Sequence, residues 1–285
     1  MDKPAGITST GVVSAARRAF GTRRVGHAGT LDPDASGLLL VCVGEATKLV
    51  RFLVTEQKDY VCCAKLGTET VSDDAASEVI RTASWEHVTQ AQVDASLSQF
   101  RGGYDQTAPR VSALKKDGKR FYARVRAGEN VDHELPVRHV LIHSLELDDY
   151  MGQEFTLSMS AGKGFYVRSL VRDVGRQVDS AAHVLWLRRT RVGQFDVKNA
   201  TSLEDLADAH VINPADALAH LPLAEAGEIA ARRILYGQKV PVGDDLTAQK
   251  KLLNGEQVRV LNQDGELLAV CECIDNEVLK VIRAF

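Results

Sequence analysis

Residues 26–37 read Gly26-His27-Ala28-Gly29-Thr30-Leu31-Asp32-Pro33-Asp34-Ala35-Ser36-Gly37 and run directly into Leu38-Leu39-Leu40-Val41-Cys42-Val43. This junction constrains the fold more than any other stretch of the chain. The apolar run reads as a buried strand, so a glycine-rich polar loop stands beside the interior of a sheet. Glycines there allow close backbone approach and unusual dihedrals, as where a loop cradles a ligand. Pro33 removes a donor and biases Asp32 toward extended backbone. Taken alone, an Asp-Pro pair is most often a turn whose carboxylate caps its own backbone. A lone histidine such as His27 is likewise more often a surface or core residue than a catalyst.

Around this junction the periodicities mix helices and strands. Thr8-Ser9-Thr10 offer capping oxygens to a helix that carries Val12, Val13, Ala16 and Phe20 and ends at Gly21. Ala46 to Leu53 reads as a short helix and Tyr60 to Leu66 as a strand. Thr89 caps a helix with Val93, Leu97 and Phe100. Residues 106–131 are polar, basic and broken by Pro109, Gly118 and Gly128, an excursion of a length that is usually functional or disordered. Val137 to Leu147 and Glu154 to Ser160 alternate as strands. Tyr166 to Val178 has helical spacing, with Arg168, Arg172 and Arg176 in a stripe beside the apolar face. Val192 to Val197 reads as another strand. A boundary falls after Pro214, followed by a helix from Ala224 to Leu235 and strands at Gln257 to Leu261, Leu267 to Cys273 and Val278 to Ile282.

Composition excludes several classes. The chain has 285 residues, 45% apolar and 26% charged, which suits one large domain plus a module and excludes wholesale disorder. Its longest apolar run, Leu38 to Val43, is far short of the roughly 20 residues of a bilayer helix, and Met1-Asp2-Lys3-Pro4 carries no leader-like pattern, so neither a membrane span nor a secretory signal is expected. Cys42, Cys62, Cys63, Cys271 and Cys273 are odd in number and lack a C-x-x-C pair, so a reducing compartment, the cytoplasm, and no metal site are expected. The net charge of −3 hides two basic blocks: eight Lys/Arg against two Asp/Glu from Arg101 to Gly128, and seven against two from Lys163 to Arg191. They read either as a polyanion footprint or as solvated faces.

Six ordered motifs carry a family resemblance. They are Asp2-Lys3-Pro4-x-Gly6-x-Thr8-Ser9; Gly26-His27-x-Gly29-Thr30-Leu31-Asp32-Pro33-x-x-x-Gly37; Gly44-Glu45-Ala46-Thr47-Lys48; Pro109-x-x-Ser112-Ala113-Leu114-Lys115 with Gly118, Tyr122, Arg126 and Gly128; Gly162-x-Gly164-x-Tyr166-Val167-Arg168-Ser169-Leu170 with Asp173 and Gly175; and His183-x-x-x-Leu187-Arg188-Arg189-Thr190-Arg191-x-Gly193. From Met1 to about Asp216 the chain resembles the TruB family of tRNA pseudouridine synthases.

The resemblance implies an α+β fold: a mixed, largely antiparallel sheet flanked by helices, with a small β-rich, PUA-like C-terminal module. Residues 1–216 would form the catalytic domain, 106–131 an RNA-gripping thumb within it, and 217–285 the module. The implied reaction converts the T-loop uridine of tRNA, position 55, to pseudouridine, without metal or cofactor. The catalytic aspartate falls on Asp32, which attacks the sugar, attacks the base or abstracts a sugar proton; these roles stay open. Each needs an ionised carboxylate, favoured by a neighbouring cation, which by resemblance is Arg168. Tyr60 matches the tyrosine that stacks on the target base, and His27 the residue that fills the space it vacates on flipping. Lys48, Lys115, Tyr122, Arg126, Tyr166, Arg172 and Arg189 complete the expected substrate-binding set. Lys116, Lys119, Arg120 and Arg124 would add to the thumb's grip. No obligate protein partner is implied, and a monomer is the default.

The chain departs from the family pattern at four places. No apolar strand precedes Asp2, which leads to the expectation that the native start lies upstream. Asp34 stands where an apolar residue is usual, and a carboxylate there would oppose ionisation of Asp32 unless it faces solvent. Ser36 replaces threonine and Val125 replaces alanine. A second reading makes the chain an RNA-binding folding helper with secondary or lost catalysis. Within the leading reading the runner-up is a relative acting on ribosomal or small RNA, guided by another RNA, and a carboxylate sugar hydrolase ranks last.

Overall fold

The structure is a computed structural model that describes every residue except Thr55 and Asp244. The described residues form two compact units. The first comprises Met1–Val12, Thr30–Leu40 and Thr55–Leu203, the second Val13–Gly29, Val41–Val54 and Glu204–Phe285.

The first unit is built on a seven-stranded sheet. Its strands are β1 (Asp2–Lys3), β2 (Ser36–Leu38), β3 (Lys58–Leu66), β4 (Ile142–Met151), β5 (Glu154–Ala161), β6 (Ala182–Val192) and β7 (Phe195–Asp196). Their order is β1-β2-β6-β3-β5-β4, with β7 paired to β6. Only the β2–β6 pair is parallel among these; it aligns Gly37 with Arg189. Alternation along β3 sends Tyr60, Cys62, Ala64 and Leu66 to the core face. Two helices, α2 (Gln90–Leu97) and α4 (Val167–Gln177), cover that face through Val93, Leu97, Val167, Leu170, Val171 and Val174. Thr89 starts α2 with the expected cap, its hydroxyl accepting from the Gln92 amide while the Gln92 side chain reaches back. Gly175 lets α4 lie close to β6, since a Cβ there would stand 2.5 Å from the Ala182 amide nitrogen.

The excursion at 106–131 leaves this unit from an antiparallel ribbon of Tyr104–Thr107 with Val137–Val140. Lys115–Lys116 and Lys119–Arg120 pair across Asp117-Gly118, both of positive φ, as in a tight primed turn. A short helix, α3 (Phe121–Arg126), follows and is seated by the buried Phe121.

The second unit carries a six-stranded sheet of β8 (Leu223–Ala226), β9 (Val240–Pro241), β10 (Leu246–Ala248), β11 (Gln257–Leu261), β12 (Leu267–Ile274) and β13 (Val278–Ala284), ordered β9-β13-β12-β11-β8-β10. With α5 (Glu228–Leu235) it encloses its own core of Ala230, Ile234, Val258, Val260, Cys271 and Leu279. α1 (Ser9–Ala19) begins at Thr8, whose hydroxyl accepts from the Gly11 amide.

Several expected elements are corrected. The run Leu38 to Val43 is two strands, β2 and Leu40–Val43, because Leu39 turns away to donate its amide to Met1. The helix expected at Ala46 to Leu53 is a 3₁₀ turn over Gly44–Leu49 followed by one α-turn. Val137 to Leu147 divides between two sheets. The helix expected from Ala224 begins only at Glu228, since Leu223–Ala226 pairs with strands on both sides. β6, the strand at the middle of the sheet, lies where only a motif was read. All five cysteines are free and buried, and burial pushes the Cys42 thiol up to about 11.

Candidate active site

The loop carrying Asp32 is suspended from its surroundings by backbone hydrogen bonds to buried side chains. Lys3 is fully buried, and its Nζ donates to the carbonyls of Pro4, Ile7 and Pro33 at 2.9, 2.7 and 2.8 Å. Burial pulls its ammonium down to about 8, while Asp34 and Asp32 favour the charged form. Ser9 Oγ both donates to the Leu31 carbonyl and accepts from its amide, each at 2.9 Å. Arg189 reaches across from β6, donating Nε to the Leu38 carbonyl at 2.8 Å and Nη1 to that of Thr30 at 3.5 Å. Gly37 closes the loop at φ +100°, where a Cβ would come within 2.2 Å of the Arg189 carbonyl oxygen. Only glycine fits both the conformation and the contact.

From the first turn of α4, Arg168 places Nε 2.9 Å from Oδ2 of Asp32 and 3.7 Å from Oδ2 of Asp74. Its Nη1 donates to the Ser72 carbonyl and its Nη2 to that of Val111. The guanidinium side chain is 6% exposed and the Asp32 side chain 40%. The cation is therefore locked in protein while the carboxylate meets solvent. A cavity of about 710 Å³ opens there, walled by Asp32, Arg168, Asp74, Tyr122, Arg126 and Trp186 among others.

Tyr60 lies opposite Arg189 in the β3–β6 register and 6.5 Å from the Phe165 ring. Burial pushes its phenol up, and the Arg189 guanidinium works against that shift. Tyr166 is half-buried, its amide donating to Gln106 Oε1 at 2.8 Å. His27 is half-buried in the strand Val25–Ala28, which pairs with Leu40–Val43. Asp34 is exposed.

Three members of the expected substrate-binding set are committed elsewhere. Arg172 is buried, donating to Asp73 and Asp173 and to the Thr107 carbonyl, at 2.9–3.0 Å. Arg189 is buried against the loop it supports. Lys48 pairs with Glu45 at 2.7 Å, donates to the Ala284 carbonyl and lies over the Phe285 ring. The arginine stripe of α4 is thus internal wiring: Arg168 to Asp32, Arg172 to Asp73, Arg176 to Glu69. Arg188 and Arg191 are paired as well, to Asp2 and Asp59. In the thumb, Arg124 is bound to Glu129 and Glu134, and Lys116 to Glu134. Lys115, Lys119, Arg120 and Arg126 are exposed.

The comparisons with known proteins give the family and the fold. The model of the TruB family pseudouridylate synthase N-terminal domain matches residues 17–167, and that of the tRNA pseudouridylate synthase B C-terminal domain matches residues 168–223. The chain belongs to the TruB family. The TruB chain is 38% identical to the tRNA pseudouridine synthase B of Deinococcus deserti, covering 100% of this chain and 98% of that protein. It is 40% identical to the protein of the same name from Azoarcus sp., covering 90% and 86%. Among solved structures, the archaeal box H/ACA sRNP Nop10-Cbf5 complex matches with a TM-score of 0.76 at 22% identity, over 99% of this chain and 84% of that one. That likeness establishes the fold.

Sequence reasoning missed four residues of this TruB site. Asp74 sits in a polar turn, Ser72-Asp73-Asp74, that reads as an ordinary loop. Lys3 fell within a recognised motif but was assigned no task, and Ser9 was read only as a capping oxygen, not as the side chain that holds Leu31. Trp186 lies in a strand whose charges hid its period. The one signal for Lys3 and Ser9 was their place in the first motif.

Proposed function

We propose that this TruB-family chain isomerises uridine to pseudouridine in tRNA, at the T-loop uridine of position 55. The observation that carries the reading is the Asp32–Arg168 pair, a carboxylate facing a cavity and oriented by a buried guanidinium at 2.9 Å. The reaction breaks a C–N glycosidic bond and makes a C–C bond between the same base and ribose, so it needs a group that stays beside the anomeric carbon while the base turns. Asp32 is that group, as nucleophile toward sugar or base or as base toward a sugar proton. Arg168 holds it aimed. Tyr60 stacks on the base and, kept neutral by burial, serves as a proton donor. The target must leave its stack, at a cost of a few kcal/mol that such stacking offsets. Lys115, Tyr122 and Arg126 grip the RNA from the thumb. His27 takes the vacated space, Tyr166 borders the base, and Lys48, Arg172 and Arg189 act by holding structure. Residues 217–285 form the PUA-like RNA-binding module beside a catalytic part of residues 1–216, and the protein works as a cytoplasmic monomer.

The test is pseudouridine formation on an unmodified tRNA transcript, with wild type and Asp32→Asn side by side and the modified position mapped. Conversion at the T-loop uridine by wild type alone supports the reading. Tight binding without conversion by either protein replaces it with the folding-helper reading, and conversion elsewhere overturns the substrate.

A further inference from the structure

Gln106 is 2% exposed, and every group of its amide is in use. Its Oε1 accepts from the Tyr166 amide at 2.8 Å. Its Nε2 donates to the Tyr166 carbonyl at 3.0 Å and to the Tyr104 hydroxyl at 2.6 Å. One side chain thus grips both main-chain groups of a single residue, as a neighbouring strand would. One acceptor and two donors in one head group need a carboxamide.

Tyr166 is a place where such a grip matters. The chain reaches it from β5 through Gly162-Lys163-Gly164-Phe165, with Gly164 at φ +83°. Tyr166 stands immediately before α4 and offers that helix no side-chain cap. Its carbonyl also accepts the opening hydrogen bond of the helix, from the Leu170 amide at 3.2 Å. Gln106 therefore does from a distant strand what a capping-box residue does from within the first turn: it accepts from the amide that precedes the helix. Arg168 is the second residue of α4, so the set of that first turn decides where its Nε meets Asp32. Further along the helix the same strand is fastened twice more. The Tyr104 hydroxyl donates to Asp173 at 3.3 Å, and Arg172 donates to the Thr107 carbonyl at 3.0 Å.

We infer that Gln106 is a positioning residue: its grip on the main chain of Tyr166 fixes the first turn of α4 and, through it, the approach of Arg168 to Asp32. The inference rests on the proposed reaction, in which that approach aims the carboxylate, and adds to it a buried residue that touches no reacting atom. Its loss is felt in the rate of the bound complex and not in RNA affinity.

The experiment uses full-length protein and a T-arm stem-loop transcript. Single-turnover rates are measured at saturating RNA, and dissociation constants in an Asp32→Asn background. Gln106→Glu keeps size and polarity but loses both N–H donors; Gln106→Leu loses the grip altogether. Tyr104→Phe removes a fastening further along the helix and leaves both bonds to Tyr166. The expected result is a rate about 10- to 100-fold lower for each Gln106 variant, the cost of a shift of up to about 1 Å at the reacting group. Kd should stay within threefold of wild type, and Tyr104→Phe should keep a rate within threefold. Gln106→Glu combined with Arg168→Lys should fall within threefold of Arg168→Lys alone, since both misplace the same guanidinium. A larger further loss means that Gln106 acts apart from Arg168 and overturns the proposal. A rate for Gln106→Glu within threefold of wild type, a loss carried by Kd, or an equal loss in Tyr104→Phe overturns it as well. Hydrogen exchange at the Tyr166 amide, faster in Gln106→Leu, reads the grip without RNA, and unchanged exchange overturns it whatever the protein catalyses. Wild-type conversion of the transcript, scored separately, tells failure of this inference from failure of the proposed reaction.

Discussion

Arg168 reaches Asp32 through a single nitrogen, Nε, because the far ends of its guanidinium are spent on the carbonyls of Ser72 and Val111. One planar cation thus ties the Asp32 loop, the 71–78 turn and the start of the 106–131 excursion together. Lysine supplies the charge but not the fork. Arg168→Lys is expected to lower the single-turnover rate on the order of 10²-fold, the usual consequence of misplacing a reacting group by about 1 Å, with RNA affinity little changed. A rate within threefold of wild type at saturating RNA contradicts this account.

Lys3 answers three backbone carbonyls from a fully buried side chain. Replacing it with methionine keeps the length of the side chain and removes their ammonium donor, a loss of about 1–3 kcal/mol. Lys3→Met is expected to cost about 1–3 kcal/mol and to lower Tm by roughly 2–12 °C. Thermal unfolding followed by fluorescence reads this directly; an unchanged Tm means that other donors replace the ammonium.

Glu134 holds the thumb to itself. Hydrogen bonds from Arg124 and then Lys116 keep its carboxyl down at about 2, against an ordinary 4.5. A carboxyl lowered by folding adds stability above its unfolded value and loses it as pH falls through the folded one. The thumb network is therefore expected to persist at pH 5 and to come apart between about pH 4.5 and about pH 2. Carboxyl-carbon NMR should place the wild-type midpoint near the lower value, and Arg124→Gln should return it toward 4.5. A wild-type midpoint already near 4.5 rules the network out.

Alkaline stability follows from two buried phenols. Burial raises both Tyr60 and Tyr104 above the ordinary 10.0, Tyr104 further by the nearby Asp173 carboxylate. Above pH 10 the unfolded chain releases these protons while the folded chain keeps them, so stability falls as pH rises. Urea midpoints at about pH 9 and about pH 11 should diverge more in wild type than in Tyr104→Phe. Equal divergence in the two proteins refutes the assignment.

The helix α4 was legible because valines and Leu170 recur at its turns, and the cap on α2 because Thr89 stands before the helical spacing of Val93, Leu97 and Phe100. β6 was not, because its run of Arg188, Arg189 and Arg191 breaks an apolar pattern that the sheet nonetheless accommodates. Each of those arginines meets an acceptor supplied by distant chain: Asp2, the Leu38 carbonyl and Asp59. Partner choice at such separations depends on topology, which local spacing does not contain. The same reason explains the site. Asp32 and Arg168 were legible through motifs, whereas Asp74, the task of Lys3 and the exposure of Trp186 emerge only when β6 and the 71–78 turn are laid side by side. Charge counting misled in the block from Lys163 to Arg191, where a surplus of cations is matched by carboxylates outside the window.

The parallel seam between β2 and β6 also sets a timetable. Arg189 and the Leu38 carbonyl it grips are 151 residues apart. A ribosome adding about 5–20 residues per second needs roughly 8–30 s to cover that distance. Throughout that interval the aspartate loop has been made but lacks the arginine that braces it, and for most of it also Arg168, which aims it. The ability to rearrange a nucleoside is thus withheld until β6 has been synthesised, and a chain cut short before it carries the motif without the machine.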